Sequence, residues 1–360
     1  MKNKKYEEIN IPKNIDDIIE QGVAKAINEQ KYQKNKFTKH ISKVAVASFI
    51  GIITIGTVNP AIASRIPFLG NIFNEIEKNL YFPGPYSQYS TSINETAYSN
   101  GIGVTLSEVL CDGESIYVTY KVESDNPLPS SSWNNEKSVN PTNQLILEEA
   151  YSTVSFDDDE IHDSGIAGIE GKFIDKFTFV GMQKYKLSNL NSEVPGEFTF
   201  KTKILVIGNY DDGKNKQEIK KGVWAFKIPV TVNSKLNNNI NLNYEIDNSY
   251  TIESISITPF DTVLKGNMPI DGEIVTDKEG KEIDYEISLY NETGEKIRSV
   301  ESERNNRGDS VFIFDKPIEK LDNIRILVKR ISRKKEMINK NSWTYRALNE
   351  EIVLDKTINI

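Results

Sequence analysis

Apolar residues recur along this chain in three successive patterns: helical, continuous and alternating. Between residues 15 and 27, Ile15, Ile18, Ile19, Val23, Ala26 and Ile27 fall at helical spacing and predict one amphipathic helix. Asn14 stands where an N-cap is wanted, with Asp16, Asp17 and Glu20 in the first turns and lysines beyond, matching the helix dipole. Gly22 falls on the same face and weakens the helix by about 1 kcal/mol relative to Ala. Forty-three residues without metal or disulfide support build no core of their own, so the Ile15, Ile18, Ile19, Val23 and Ile27 face is expected to dock on a partner. A cytoplasmic protein, a second copy of the chain and the inner membrane surface are the candidates, with helix-in-groove binding preferred. A tether with no specific partner is the plain alternative.

The continuous pattern follows. Residues 44–64 hold no Asp, Glu, Lys or Arg, a run of 21 residues. As a helix this run is about 31 Å long, close to the ~30 Å hydrocarbon core of a bilayer. Pro60 disfavours helix at Asn59, so the span is expected to end near Val58, leaving about 27 Å counted from Ile41. A cleaved signal peptide is one rival, because Ala61-Ile62-Ala63 has the A-x-A form, and a buried helix of a soluble protein is another. Signal peptides total about 15–30 residues, whereas 43 residues precede this run, so an uncleaved anchor is the reading adopted. Lys31, Lys34, Lys36, Lys39 and Lys43 precede it and only Arg65 follows closely, which places the amino terminus in the cytoplasm and the remainder outside.

Beyond the run, Ile66, Leu69, Ile72, Phe73, Ile76 and Leu80 share a helical face closed by Pro83-Gly84-Pro85, expected to pack beneath the next domain rather than on the outer leaflet. The pattern then alternates. Ile102, Val104 and Leu106, and again Ile116, Val118, Tyr120 and Val122, predict strands joined at Asp112-Gly113. A second hairpin is expected to turn near Asp212-Gly213, and later turns at Lys278-Glu279-Gly280 and Glu292-Thr293-Gly294. The polar run Asn233 to Asn239 looks like a linker. The predicted class is mainly β: a cytoplasmic helix or tether (1–40), a transmembrane helix (41–63), a juxtamembrane amphipathic helix (64–85), and two antiparallel β-sandwich-like extracellular domains (86–232 and 240–360) joined by 233–239.

Composition narrows the function. Of 360 residues 27% are charged and 38% hydrophobic, which excludes wholesale disorder. Residues 1–43 carry ten lysines against six acids, and the rest carries 34 bases against 46 acids. An acidic body without a basic stripe argues against direct nucleic-acid contact. Cys111, the single cysteine, excludes an internal disulfide framework and any multi-cysteine metal site. An unpaired cysteine outside the cell suits a bacterium that does not rely on disulfides. The abundance of Lys over Arg, and of Asn, points to an AT-rich bacterial genome.

Candidate chemistry is sparse. Asp157, Asp158, Asp159, Glu160, His162 and Asp163 are dense enough for calcium, but the spacing is not that of an EF-hand, and a solvated loop is the expectation. The chain has two histidines, His40 and His162, and no zinc-protease, nucleophile-elbow or P-loop motif. Gly165, Gly168 and Gly171 are not spaced as a dinucleotide fingerprint. Arg307-Gly308-Asp309-Ser310 reads as a plain polar turn. No catalytic, cofactor or metal site is expected.

"VNPAIASRIPFLGNIFNEI" at the exit of the apolar run, "YSTSINETAYSNGIGVTLSEVLCDGESIYVTYKVES" after it, and the later "SISITPFDTVLKG" resemble a family of uncharacterised single-pass membrane proteins of spore-forming Gram-positive bacteria. The Asn59-Pro60-Ala61 exit and the Asn100-Gly101 and Asp112-Gly113 turns carry the likeness, which covers roughly residues 40–230 and extends to 240–350. Its members are encoded beside extracytoplasmic-function sigma factors and are regarded as anti-sigma factors. The resemblance implies a transmembrane regulator whose first forty residues hold a sigma factor until the outer domains meet an unknown extracellular ligand. The cytoplasmic part lacks the His and Cys of zinc-containing anti-sigma domains and is much shorter than a full one. The alternative is a non-catalytic surface protein whose β domains bind cell-wall polymer or another protein.

Overall fold

In a computed structural model of the chain, the described residues are 71–129, 145–208 and 219–360, apart from 79, 81–82, 162–168, 189, 248, 272, 274, 277–280, 306–307, 316–321 and 340–341. The expected cytoplasmic helix and membrane span lie outside them, as do the 212–213 and 278–280 turns. Among the described residues no helix is long and apolar enough to cross a membrane. What is described is mainly β, in several antiparallel sheets.

Local turn chemistry sets the first strands. Asn100 (φ 50°) and Gly101 (φ 76°) make a two-residue turn with both central φ positive, the arrangement that matches strand twist, between β1 (Thr91–Ser99) and β2 (Ile102–Cys111). Gly113 (φ 95°) turns β2 into β3 (Ser115–Ser124), and Asp112 Oδ1 accepts the N–H groups of Glu114 and Ser115 at 2.9 and 2.8 Å. With β5 (Glu170–Asp175) and β6 (Thr178–Lys186) these strands form a sheet in the order β1-β2-β3-β6-β5. A three-stranded sheet orders β4 (Ile146–Val154), β7 (Glu197–Gly208) and β8 (Ile219–Thr231) as β4-β7-β8.

Side chains of both sheets meet in one core, with Val104, Leu106, Val118, Tyr120 and Phe179 from the first and Phe200, Ile204, Trp224 and Ile228 from the second. Trp224 is fully buried and donates its indole N–H to the Ile102 carbonyl at 3.0 Å. Alternation on β2 breaks at a bulge. Leu106 pairs with Tyr120 and Glu108 with Thr119, so Ser107 is the extra residue. Ile102, Val104 and Leu106 before it, and Val109 and Cys111 after it, all reach the same core. The bulge sends Glu108 to the opposite face.

The second β region follows. The stretch that the sequence marks as a linker forms a 3-10 turn at Ser234–Leu236, buries Leu236, and enters β9 (Asn238–Ile246). Strands β10 (Tyr250–Ile257), β11 (Asp261–Asn267), β15 (Ser299–Arg304) and β16 (Ser310–Asp315) complete a sheet ordered β15-β16-β11-β10-β9. Another contains β12 (Val275–Thr276), β13 (Glu282–Tyr290), β17 (Asn323–Asn339) and β18 (Ser342–Asn359) in that order, with β14 (Lys296–Ile297) beside β13. The turn at 292–294 is present, with Gly294 at φ 82°. Ile252, Ile255, Leu264, Phe312 and Phe314 share a core with Ile283, Leu289, Ile326 and Val328 from the other sheet.

Gly171 has a steric reason to be glycine. It faces Gly181 across the β5–β6 pair, and a Cβ there would lie 1.9 Å from the Val180 carbonyl oxygen and 2.5 Å from the Gly181 Cα. Backbone cannot yield as a flexible side chain can. Gly171→Ala is expected to cost about 3 kcal/mol or more, seen as a lowered urea midpoint with an unchanged slope.

Candidate functional site

The central strands of the first sheet are buried on both faces, with every residue of β2 and β6 shielded. The face turned away from the core explains this. Along β6 it carries Val180, Met182, Lys184 and Lys186, an apolar pair followed by a cationic pair. The apolar end is covered by the helix α1 (Ile72–Ile76), whose Ile72, Phe73 and Ile76 are buried with Leu80, Tyr86, Leu110, Tyr117, Val180, Met182, Leu236 and Phe260 in one cluster. Of the predicted helical face, Ile72, Phe73, Ile76 and Leu80 pack here, while Ile66 and Leu69 lie outside the described residues. The helix thus packs on protein.

Its seat is specific. Asn71 caps it by accepting the Asn74 N–H at 3.0 Å, and Glu77 accepts the Ser87 N–H at 2.9 Å. Glu108, sent to this face by the bulge, accepts the Phe73 N–H and the Thr119 hydroxyl through Oε2, each at 3.1 Å. Burial holds the Glu108 carboxyl above its ordinary value, with the Phe73 N–H, the Thr119 hydroxyl and the Ile72 N–H opposing. Phe73 stacks on Tyr86 (5.4 Å, 10°), and Tyr86 stacks on Phe260 of the second β region (4.4 Å, 16°). Tyr117 leans against both Tyr86 and Phe260, at 5.1 and 4.9 Å. Gly84 admits Phe260, since a Cβ there would sit 2.8 Å from the ring.

The cationic end of the same row faces the second region. Lys184 Nζ lies 2.5 Å from Asp261 Oδ2, and Lys186 Nζ lies 2.8 and 3.0 Å from Glu301 and Glu303. In the reverse sense, Glu114 reaches across to Lys265 and to the Ser256 hydroxyl, both at 2.8 Å. Asp261 also receives the Thr258 hydroxyl at 3.0 Å. Asp112 accepts the Tyr117 hydroxyl at 3.2 Å besides its two backbone donors. Burial, and then the charge of Asp261, push the Asp112 carboxyl up to about 7 against the pull of the Ser115 and Glu114 N–H groups and of Lys184. Burial likewise drives the Tyr86 phenol well above its usual range, reinforced by Asp261, Glu170, Asp112 and Glu77. The junction therefore joins three elements, the helix and both β regions, around buried charge in which carboxylates outnumber lysines.

The candidate residues from the sequence fare differently. Ile15, Ile18, Ile19, Val23 and Ile27 lie outside the described residues. Asp157 and Asp159 serve their own loop: Asp157 accepts the N–H groups of Asp159 (3.0 Å) and Ser192 (2.8 Å), and Asp159 accepts the Asn191 amide at 2.6 Å. His162 and Asp163 are not described. Among the described residues no group of His, Cys, Asp and Glu is placed to hold a metal. Cys111 is buried in the first core, and burial pushes its thiol far above the reactive range. Gly308, at φ 87°, belongs to a turn in which Arg304 reaches its carbonyl at 3.1 Å, and Ser310 is fully buried. Glu108, Glu114, Lys184 and Asp261 were not singled out by sequence reasoning, and Asp112 only as a turn residue. Tyr117, Leu110, Val180 and Met182, apolar on the face turned away from the first core, were the available signal.

Comparison with known proteins adds a partial family match and a likeness of fold. The family described as a domain of unknown function, DUF4179, matches residues 33–124. That stretch includes α1 and β1 to β3, hence Glu108, Asp112 and Tyr117, and stops short of Lys184 and Asp261. A crystal structure of the conserved domain protein from Bacillus anthracis is similar, with a TM-score of 0.51 and 17% identity over 82% of this chain and 100% of that one. At that identity the likeness is one of fold. No curated protein matches.

Two outcomes test the junction. Lys184→Met strands the Asp261 carboxylate and is expected to cost about 3–5 kcal/mol in denaturant unfolding, whereas Lys184→Met with Asp261→Leu loses less. Asp112 is raised on folding, so its contribution is fully present below its unfolded value near 3.8 and is lost as pH rises toward about 7. Glu95 on β1, pushed up to about 7 by burial, adds a slope of the same sign. Asp112→Asn should therefore flatten the fall in stability between pH 4 and 7, leaving the share owed to Glu95 and Glu108. An unchanged slope would remove Asp112 as its source.

Proposed function

We propose that the chain is a membrane-anchored signalling regulator of the anti-sigma type, non-catalytic and without direct contact to nucleic acid. Residues 41–63 cross the cell membrane once, with the amino terminus in the cytoplasm and the β regions, each a sandwich, outside. Ile15, Ile18, Ile19, Val23 and Ile27 hold a sigma factor, and the β regions respond to an envelope signal. One observation carries the reading. Helix α1 stands a few residues after the apolar run, and its Phe73 is held through Tyr86 to Phe260 of the second β region and through Glu108 to the first. A change of angle between the β regions moves Phe73, and with it the chain that enters the run. A surface protein that uses its amino-terminal part only as an anchor has no need of such coupling.

The test uses the full chain, tagged at its carboxyl end and purified from native membranes. Co-purification of a sigma factor is expected, reduced at least tenfold by Ile18→Asp with Ile19→Asp, since each buried Ile is worth about 1.5–3 kcal/mol. Sigma-dependent transcription should rise in the same strain. Unchanged transcription would sink the regulatory reading and favour a surface protein that binds wall polymer.

A further inference from the structure

The outer face of the β4-β7-β8 sheet is cationic, in a chain whose overall charge is −8. Along β7, Lys201 and Lys203 alternate with the buried Phe200, Thr202 and Ile204. Lys227 stands likewise between the buried Phe226 and Ile228 of β8. Pairing of the two strands sets Lys201 directly opposite Lys227, a like-charge rung that opposes the ladder. Lys220 and Lys221, both exposed, lie further along β8, past its bulge. The two strands carry these five lysines against one acid, Glu197 at a strand end. Among the described residues none of the five has an ion-pair partner. Elsewhere Lys184, Lys186, Lys265, Lys296 and Lys329 are each matched by a carboxylate. No single run of the sequence shows this face, since its lysines come from two strands and meet only through their register.

We infer that this face binds a linear, phosphate-bearing polymer lying along β7 and β8. From Lys227 to Lys221 the strand runs about 20 Å, room for several phosphates of one chain. Ammonium groups on flexible stems suit a repeating charge better than a single fixed anion. Phosphate beside Lys201 and Lys227 also relieves the repulsion between them. The acids in register with these rows stand on the β4 side. Thr153 separates Glu160 from Lys201, and Val206 separates Glu148 from Lys221. They turn a polyanion away from β4 and keep it on the β7–β8 pair. A bilayer is a poorer occupant, because Thr199, Ala225 and Pro229 stand beside the lysines in place of aromatic anchors. Phe198, Phe200, Trp224 and Phe226, the aromatics of the two strands, all belong to the core, which leaves bases nothing there to stack on. The inference concerns this sheet alone and does not depend on a sigma factor.

The probe is synthetic poly(glycerol phosphate), titrated calorimetrically into the full chain in nonionic detergent micelles. Binding is expected, and log K should fall with log salt at a slope of about −2, as for three phosphates neutralised. Lys201→Gln with Lys203→Gln and Lys227→Gln should weaken it about tenfold or more, at roughly two- to fivefold per lysine. Lys201→Glu should weaken binding too, yet raise the thermal midpoint, because it turns the like-charge rung into one of opposite charges. Loss of binding in that variant is therefore not loss of fold. Absence of binding, or binding unchanged in either variant, would overturn the proposal. So would displacement of the polymer by phosphatidylglycerol added to the micelles, or tighter binding of an oligothymidylate with the same number of phosphates.

Discussion

Lys184 and Asp261 face each other at 2.5 Å in a junction from which both β regions exclude water, their side chains 7% and 1% exposed. Neither charge is stable there alone, since removing an ion from water costs several kcal/mol and only a close opposite charge offsets it. The pair therefore requires that β6 and β11 keep their relative positions. Lys186 with Glu301 and Glu303, and Glu114 with Lys265, repeat the constraint elsewhere along the junction. These contacts run in both directions between the regions, so sliding one across the other breaks all of them together.

The aromatic stack acts differently. Burial of Phe73, Tyr86, Tyr117 and Phe260 supplies attraction that depends little on angle, and ring stacking adds a modest preference. Glu108 links this apolar part to the polar one, because it reaches the helix only through the bulge at Ser107. Were Ser107 to take a regular place in the ladder instead of bulging out of it, the strand phase set by Leu106 would carry Glu108 into the first core and Val109 out of it. The bulge thus decides whether the helix has a hydrogen-bonding seat on the sheet.

Much of the framework was legible from local pattern. Alternation at 102–106 and 116–122 identified strands and their core face, and Asn100-Gly101, Asp112-Gly113 and Gly294 marked turns because only certain residues tolerate positive φ. The burial of α1 was legible too, from Ile72, Phe73, Ile76 and Leu80 on one face. The polar junction was not. Period-2 alternation states which face of a strand is apolar, and is silent on whether the other face is later covered by residue 260, some eighty to one hundred and fifty positions away in the chain from Lys184 and Asp112. Glu108, Asp112 and Lys184 therefore resembled ordinary solvent-facing residues. The bulge at Ser107 had no local signature either, since Ser in a strand is unremarkable and the phase shift shows only in pairing with β3.

The two kinds of contact together define how the junction can move. A purely apolar interface allows gradual rolling, because its free energy follows buried area and changes smoothly. The Lys184–Asp261 pair, buried at 2.5 Å, loses its benefit over a short displacement and then leaves charges without solvent, and its partly exposed neighbours at 2.8–3.0 Å lose their contacts with it. The junction consequently favours discrete arrangements, closed or parted, over a continuum. Glu108 and Asp112, both raised by burial, bear on the balance between them, since a proton taken up by either removes repulsion that otherwise favours parting. Because α1 is seated in the same place, any parting of the β regions would also unseat the helix.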